Sequence, residues 1–185
     1  TKVLTAPVDV AELSAAKLGF AYPIIVKPSS SVDYWKHPFD GMKKVYVAKS
    51  VEEAGAIINA IYDAGYPEKM ILQEFIPGGD SQMRVLTTFS DQNGKVRAMC
   101  LGHTMLEEHT PKGLGNHAAI LTEPVSRLPI AAKIKEMLET IGYTGFGHFD
   151  IKLNPDDPTG KDYRVFEINL RQGRSNFYVT AAGLN

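Results

Sequence analysis

Several features that mark particular classes of protein are scarce in this sequence. Its 185 residues include one cysteine, Cys100, which excludes a disulfide within the chain and fits a reducing compartment. The 20 basic and 21 acidic residues leave a net charge of −1, without the basic surplus that a dedicated nucleic-acid binder needs. No apolar run reaches the roughly 18 residues of a membrane-spanning helix. We therefore expect a cytoplasmic protein with no nucleic-acid partner and no membrane span.

The composition that remains is typical of a folded globular chain. Apolar residues make up 44% of the sequence, which is enough for a packed core and excludes a disordered chain. Apolar spacing predicts helices over residues 9–18, from Ser50 to Gly65, and over 129–141. Short β-branched or alternating runs predict strands at 22–28, 45–48, 70–76, 83–89, 96–102, 118–121, 146–153 and 163–168. Hairpins outnumber strand–helix–strand units in this order, so we predict the α+β class with mainly antiparallel sheets.

A candidate metal site lies on the last two predicted strands. Side chains alternate along a strand, so Glu167 and Asn169 should share one face while Phe166 and Ile168 face the core. The turn-rich connection at 154–161 predicts a hairpin that brings Asp150 opposite Glu167. Two carboxylates and an amide oxygen are ligands that suit Mg²⁺. An ordinary amphipathic hairpin with a solvated outer face is the alternative.

Cationic residues lie at two strand ends. Arg171 and Arg174 follow the last strand and could neutralise a phosphoryl group, although a solvated basic turn has the same pattern. Lys27 ends an apolar strand before Pro28 and three serines, where a lysine can hold phosphate oxygens. A surface lysine whose stem packs on apolar neighbours is the alternative for Lys27.

Two further segments have weaker signals. Gln73, Glu74 and Ile76 precede Pro77 and a double glycine, where an extended backbone could bind an adenine edge. Asp80 follows and could accept hydrogen bonds from ribose hydroxyls, but a plain strand and its turn would look the same. His148 shares the predicted face of Asp150, where a neighbouring polar residue is favoured over a ligand.

Taken in order, these segments resemble the ATP-grasp superfamily over nearly the whole chain. The segments that carry the resemblance are Tyr22-Pro-Ile-Ile-Val-Lys27-Pro, Leu72-Gln-Glu-Phe-Ile-Pro77-Gly, Phe149-Asp150-Ile and Phe166-Glu167-Ile-Asn169-Leu-Arg171. The resemblance implies two α+β subdomains that grip ATP between them. Residues 1–72 would form part of the small, lid subdomain, and residues 73–185 would form the C-terminal subdomain with the metal site.

The resemblance also implies a role for each matching residue. Lys27 would contact the ATP phosphates, and Arg171 would lie near the transferred phosphoryl group. Gln73, Glu74 and Ile76 would bind adenine, and Asp80 would bind ribose. Asp150, Glu167 and Asn169 would hold one or two Mg²⁺ ions, with Mn²⁺ as an alternative.

The end of the sequence narrows the resemblance further. The segment from Phe166 to Thr180 is most similar to bacterial carboxylate–amine ligases, which include the D-aspartate ligases of peptidoglycan synthesis. It implies an amide bond formed between D-aspartate or another amino acid and an amine through an acyl phosphate, and the amine could belong to a peptidoglycan precursor. Arg174, Ser175 and Asn176 would lie near the carboxylate substrate. A carboxylase or kinase-like ATP-grasp enzyme, or a non-catalytic nucleotide-binding module, is the alternative.

Two departures from the family pattern qualify these expectations. The glycine-rich phosphate loop is replaced by Ser29–Gly41, which contains a single glycine, and Ser29 and Lys43 are the candidate substitutes. The earlier phosphate-binding residue and the N-terminal domain of the family have no counterpart before Lys27. We therefore expect a fragment of a longer ligase that is inactive by itself.

Overall fold

The fold is described from a computed structural model that covers residues 1–7, 9–110, 113, 115–157, 159, 161–173, 176, 177, 181 and 183. The described residues form two compact units, Thr1–Phe75 with His109–Gly115 and Ile76–Glu108 with Asn116–Asn185. Assignment of the units to a partial lid and a metal-bearing subdomain stays a prediction. No helix among the described residues is long and apolar enough to cross a membrane.

A four-stranded antiparallel sheet forms the centre of the first unit. Its strands are β1 (Lys2–Leu4), β2 (Ile24–Pro28), β3 (Tyr46–Ala48) and β4 (Met70–Glu74), in the spatial order β1-β4-β2-β3. Helix α3 (Val51–Asp63) covers one face, and its Ile58 and Ile61 are buried in one cluster with Ile24, Val26 and Leu72. Ser50 caps this helix at the predicted start, since its hydroxyl accepts a hydrogen bond from the amide of Glu53.

The N-terminal helix predicted over 9–18 is wrong as a single element. The structure has a 3₁₀ turn at Val10–Leu13 and a short helix α1 at Ala15–Leu18, separated by Ser14 in an extended conformation. Asp9 does cap the first turn, because its carboxylate accepts from the amide of Ala11. The predicted loop after β2 also contains one helical turn, α2 (Ser31–Tyr34), capped by the Ser30 hydroxyl.

A five-stranded antiparallel sheet forms the second unit. Its strands are β5 (Met83–Ser90), β6 (Val96–Glu107), β7 (His117–Glu123), β8 (Gly145–Leu153) and β9 (Tyr163–Asn169), in the order β7-β6-β5-β8-β9. Helix α4 (Ala131–Thr140) packs Ile134 and Leu138 against Leu86, Phe149 and Ile151. Both sheets are antiparallel in all the strand pairs described, which confirms the predicted α+β class.

Strand β6 is longer than the sequence predicts. The prediction ended it at Gly102, whereas the strand continues to Glu107 and pairs with β7 through two irregularities near Leu106. Such irregularities bend a strand locally and re-aim side chains beside them. Here they lie beside His117, the first residue of β7.

Candidate functional site

The predicted hairpin that brings two carboxylates opposite each other is present in the second unit. Asp150 on β8 lies directly opposite Glu167 on β9, and His148 lies opposite Asn169. Phe149 and Ile151 point into the core, so Asp150 and its neighbours at alternate positions point away from it. The Asn169 amide nitrogen is 3.3 Å from Asp150 Oδ2, to which it donates. The sequence therefore predicted this cross-strand arrangement correctly.

One detail of the hairpin differs from expectation. Ile168 lies opposite Phe149, but the residue is 46% exposed. The β9 residues that pack against the core are Tyr163 and Val165, so the predicted core positions Phe166 and Ile168 are wrong. The reason is the position of β9, which is an edge strand of the five-stranded sheet. The register also shifts between Asp150 and Ile151, which interrupts the regular alternation along the pair.

Two histidines meet the carboxylate of Asp150. His117 on β7 places its Nε2 3.3 Å from Asp150 Oδ1, and His148 places its Nε2 3.4 Å from the same oxygen. The side chains of these three residues are 8% to 13% exposed. Asp150 thus has one oxygen towards two imidazoles and the other towards Asn169. The sequence has no signal that marks His117, and for His148 it favours a neighbouring polar residue over a ligand.

The protonation of Asp150 follows from these contacts. Burial by itself would raise the pKa of this carboxyl, but hydrogen bonds and charge interactions with His117 and His148 outweigh that effect and lower the pKa from 3.8 to about 2. Asp150 is therefore an anion at neutral pH. An anionic, largely buried carboxylate is suited to holding a divalent cation.

A second group of charges lies beside this cluster. The backbone amide of Glu107 donates to Asp80 Oδ2 at 2.8 Å, and Glu107 Oε1 is 3.8 Å from His117 Nδ1. Lys152 Nζ donates to the carbonyl of Gly78 at 2.8 Å. Burial lowers the pKa of Lys152, while the negative charges of Glu107 and Asp80 act in the opposite direction. The candidate ribose-binding Asp80 is thus held by the backbone of β6 within the second unit.

The candidate nucleotide residues of the first unit lie on its central strands. Lys27 pairs with Ile71 and Ile25 pairs with Gln73, which places Lys27 and Gln73 on one face of the sheet. That face is opposite the buried side chains of Ile24 and Val26. Glu74 is the exposed last residue of β4, and Ile76 begins the second unit.

The backbone groups of Ser29 and Lys43, the two candidate substitutes for a phosphate loop, are held by hydrogen bonds. The amide of Ser29 donates to the carbonyl of Lys69 at 2.9 Å. The Lys43 carbonyl accepts from the Tyr34 hydroxyl and its amide donates to the Tyr46 hydroxyl, at 2.7 and 2.8 Å. The side chain of Lys43 is therefore carried on a fixed stretch of backbone.

The C-terminal candidates are described only in part. Arg171 is exposed and donates to the carbonyl of Gln172 at 3.3 Å. Arg174 and Ser175 lie outside the described residues. Asn176 is 6% exposed, and within the described part of the chain its side-chain amide has no hydrogen-bond partner.

Similarity to known proteins was found in sequence and in structure. The chain is 48% identical over 169 residues to D-aspartate ligase from Enterococcus faecium (strain Aus0004), which covers 91% of the chain and 39% of that protein. The chain therefore spans about two fifths of the length of this curated relative. No protein-family model matches the chain.

Two solved structures support the fold. D-alanine–D-alanine ligase from Bacillus anthracis, complexed with ATP, matches 98% of the chain and 55% of its own length, with a TM-score of 0.59 at 16% identity. The biotin carboxylase domain of the Hydrogenobacter thermophilus 2-oxoglutarate carboxylase, complexed with MgADP, ADP and bicarbonate, matches 98% of the chain and 38% of its own length, with a TM-score of 0.68 at 16% identity. At 16% identity these structures show that the chain shares their fold, while the sequence relative shows similarity to about two fifths of a D-aspartate ligase.

Proposed function

We propose that this chain is the nucleotide-binding part of an ATP- and Mg²⁺-dependent carboxylate–amine ligase. The observation that carries the proposal is the 48% identity to D-aspartate ligase, which spans 91% of the chain. On this basis the carboxylate is D-aspartate or another amino acid, and the amine is a small molecule or part of a peptidoglycan precursor. The protein would act in the cytoplasm, where ATP is available.

The residues of the β8–β9 hairpin fit a magnesium ion. Asp150 is ionised and Glu167 lies opposite it, with Asn169 close to Asp150 Oδ2. These residues offer the oxygen ligands that Mg²⁺ takes, and such sites commonly leave positions for substrate phosphates. When bound, the ion would neutralise phosphate oxygens of ATP. Glu167 is exposed, so its carboxylate is accessible to an incoming nucleotide complex.

The proposed reaction has two steps. A carboxylate oxygen attacks the γ-phosphorus of ATP, which gives an acyl phosphate and ADP. The amine nitrogen then attacks the acyl carbon, the C–O bond to phosphate breaks, and an amide, inorganic phosphate and a proton result. Lys27 would bind phosphate oxygens, and Arg171 would offset the negative charge that develops during phosphoryl transfer.

Other residues would bind the remaining groups of ATP and the carboxylate substrate. Gln73, Glu74 and Ile76 would contact adenine, and Asp80 would accept from ribose. Ser29 and Lys43 would replace a glycine-rich phosphate loop. Arg174, Ser175 and Asn176 would bind the carboxylate substrate. The buried amide of Asn176, without a partner among the described residues, supports a polar ligand for that position.

Measurement of ADP release by the full-length protein tests the proposal. We expect release that depends on Mg²⁺ and on D-aspartate within a panel of amino acids, and a ligated product detected by mass spectrometry. Glu167→Gln should lower the rate at least about 100-fold, as losses of charge-stabilising groups do. Glu136→Gln, on the exposed face of α4, is the matched control.

Other outcomes of this assay would each indicate one of the alternative functions. ADP release with bicarbonate alone would indicate a carboxylase, and a phosphorylated product that accumulates would indicate a kinase-like enzyme. Nucleotide binding without turnover under any condition would indicate a binding module. The 185-residue chain alone should release no ADP, since it spans 39% of the length of its relative.

A further inference from the structure

The cluster of His117, His148 and Asp150 has the geometry of a metal site with nitrogen ligands. One ligand atom from each residue lies within 4.8 Å of the other two. The two imidazole Nε2 atoms are 3.3 and 3.4 Å from Asp150 Oδ1. Ligands about 2.1 Å from a tetrahedral ion are separated by about 3.4 Å, a spacing that both histidine–aspartate distances match.

The chemistry of this cluster differs from that of the magnesium ligands. Imidazole nitrogen suits zinc, cobalt, nickel and iron, whereas Mg²⁺ takes oxygen ligands almost exclusively. Asp150 separates the two kinds of donor, because Oδ1 faces the histidines and Oδ2 faces Asn169. A single carboxylate could thus contribute one oxygen to each of two ions.

We propose that His117, His148 and Asp150 form a binding site for a divalent transition-metal ion of the Zn²⁺ or Co²⁺ type, adjacent to the magnesium ligands. The inference shares Asp150 with the proposed function but requires nitrogen ligation, which that function does not. Three protein ligands leave at least one position open on a tetrahedral ion, as in catalytic rather than structural sites.

Contacts of the ring nitrogen of His117 that faces away from Asp150 support this assignment. His117 Nδ1 is 2.9 Å from the hydroxyl of Thr104, which is fully buried, and 3.8 Å from Glu107 Oε1. Metal-binding histidines commonly donate their second ring nitrogen to such an oxygen, which fixes the tautomer and the ring orientation. His117 is therefore held with Nε2 towards Asp150.

The second histidine is packed closely against the backbone. A Cβ added at Gly173 would lie 2.3 Å from His148 Nδ1, so the chain passes directly against this ring. Both histidines and Asp150 also belong to paired strands rather than loops. A site on rigid elements keeps its ligands close to binding geometry before the ion arrives.

Spectroscopy on the full-length protein, free of a histidine tag, tests the site directly. Chelator-treated protein is titrated with Co²⁺ at about pH 7.5, where unperturbed imidazole is mostly neutral. We expect visible d–d absorption that saturates at one ion per chain in the presence of millimolar Mg²⁺. X-ray absorption of the Zn²⁺-loaded wild-type protein should show scattering from two imidazoles, which requires no variant.

Variants assign the ligands. His117→Gln and His148→Gln should weaken Co²⁺ binding by more than about tenfold, because even outer-shell partners account for 10- to 100-fold. His103→Gln is the matched control, since His103 on β6 bonds instead to the Ser81 carbonyl and Glu123. Circular dichroism verifies that each variant is folded.

Contrary results separate this inference from the proposed function. The inference is overturned if Co²⁺ does not bind or if X-ray absorption shows no imidazole ligands. If calorimetry still detects MgADP binding in that case, the histidines only orient Asp150 and the proposed function stands. Equal Co²⁺ affinity in the His103, His117 and His148 variants would also overturn it. If the protein binds neither Co²⁺ nor MgADP, the proposed function fails as well.

Discussion

His117 is held between Thr104 and Asp150, with Nδ1 2.9 Å from the Thr104 hydroxyl and Nε2 3.3 Å from Asp150 Oδ1. Thr104→Val removes the hydroxyl and keeps the shape of the side chain. Because a buried ring nitrogen loses its partner, we expect the free energy of unfolding to fall by about 1–3 kcal/mol in urea titrations. Cobalt affinity should fall about 10- to 100-fold.

The control for this prediction lies on the neighbouring strand. Thr122 on β7 is exposed, so Thr122→Val should change neither the unfolding midpoint nor cobalt affinity appreciably. If both valine variants behave alike, the hydroxyl of Thr104 does not orient His117.

Gly173 determines the position of His148 by leaving room for its ring. An alanine there would place Cβ 2.3 Å from Nδ1 and 2.7 Å from Cε1, distances that force the imidazole to move. We expect Gly173→Ala to destabilise the protein by about 1–3 kcal/mol, as overpacking does, and to weaken cobalt binding. Gly79→Ala is the control in calorimetric melts, because a Cβ at Gly79 meets no atom within 4 Å. Equal melting temperatures would contradict the prediction.

Asp150 should make the free energy of unfolding depend on pH in the acidic range. Its pKa is lowered from 3.8 to about 2 in the folded chain, so its contribution to stability is present above 3.8 and is lost as the pH falls towards 2. The difference corresponds to about 2 kcal/mol. Urea titrations of the wild type and Asp150→Asn at pH 5 and pH 2.5 should show the wild type losing more stability than the variant. Parallel losses would show that other carboxyl groups account for the acid sensitivity.

Local patterns in the sequence are sufficient to predict most of the secondary structure and the pairing of Asp150 with Glu167 in the candidate site. Alternation along two strands and a turn-rich connection predict that Asp150 and Glu167 face each other, and the structure has that register. The cap at Ser50 is likewise a local interaction that the sequence shows directly. Failures occurred where local signals were ambiguous, as at Ser14, whose extended backbone divides the predicted first helix.

His117 illustrates what local patterns cannot reveal. It is 33 residues from Asp150, and the two meet only because β6 continues past Gly102 and pairs with β7 through two irregularities. Neither the length of β6 nor the shift in register has a signature in the residues themselves. A histidine at a strand start has no local pattern that marks it as a ligand, so the cluster emerges only from the tertiary pairing.

The tyrosine pair of the first unit should control the backbone that carries Lys43. The Tyr34 and Tyr46 hydroxyls are 2.7 Å apart, Tyr34 donates to the Lys43 carbonyl, and the Lys43 amide donates to Tyr46. Tyr34→Phe and Tyr46→Phe each remove the contact between hydroxyls, but only Tyr46→Phe removes the acceptor of the Lys43 amide. We therefore expect hydrogen exchange at that amide to be faster in Tyr46→Phe than in Tyr34→Phe, although each variant should lose about 1 kcal/mol of stability. Equal exchange rates in the two variants would mean that the Tyr46 hydroxyl does not hold this segment, and the fixed position inferred for Lys43 would then be wrong.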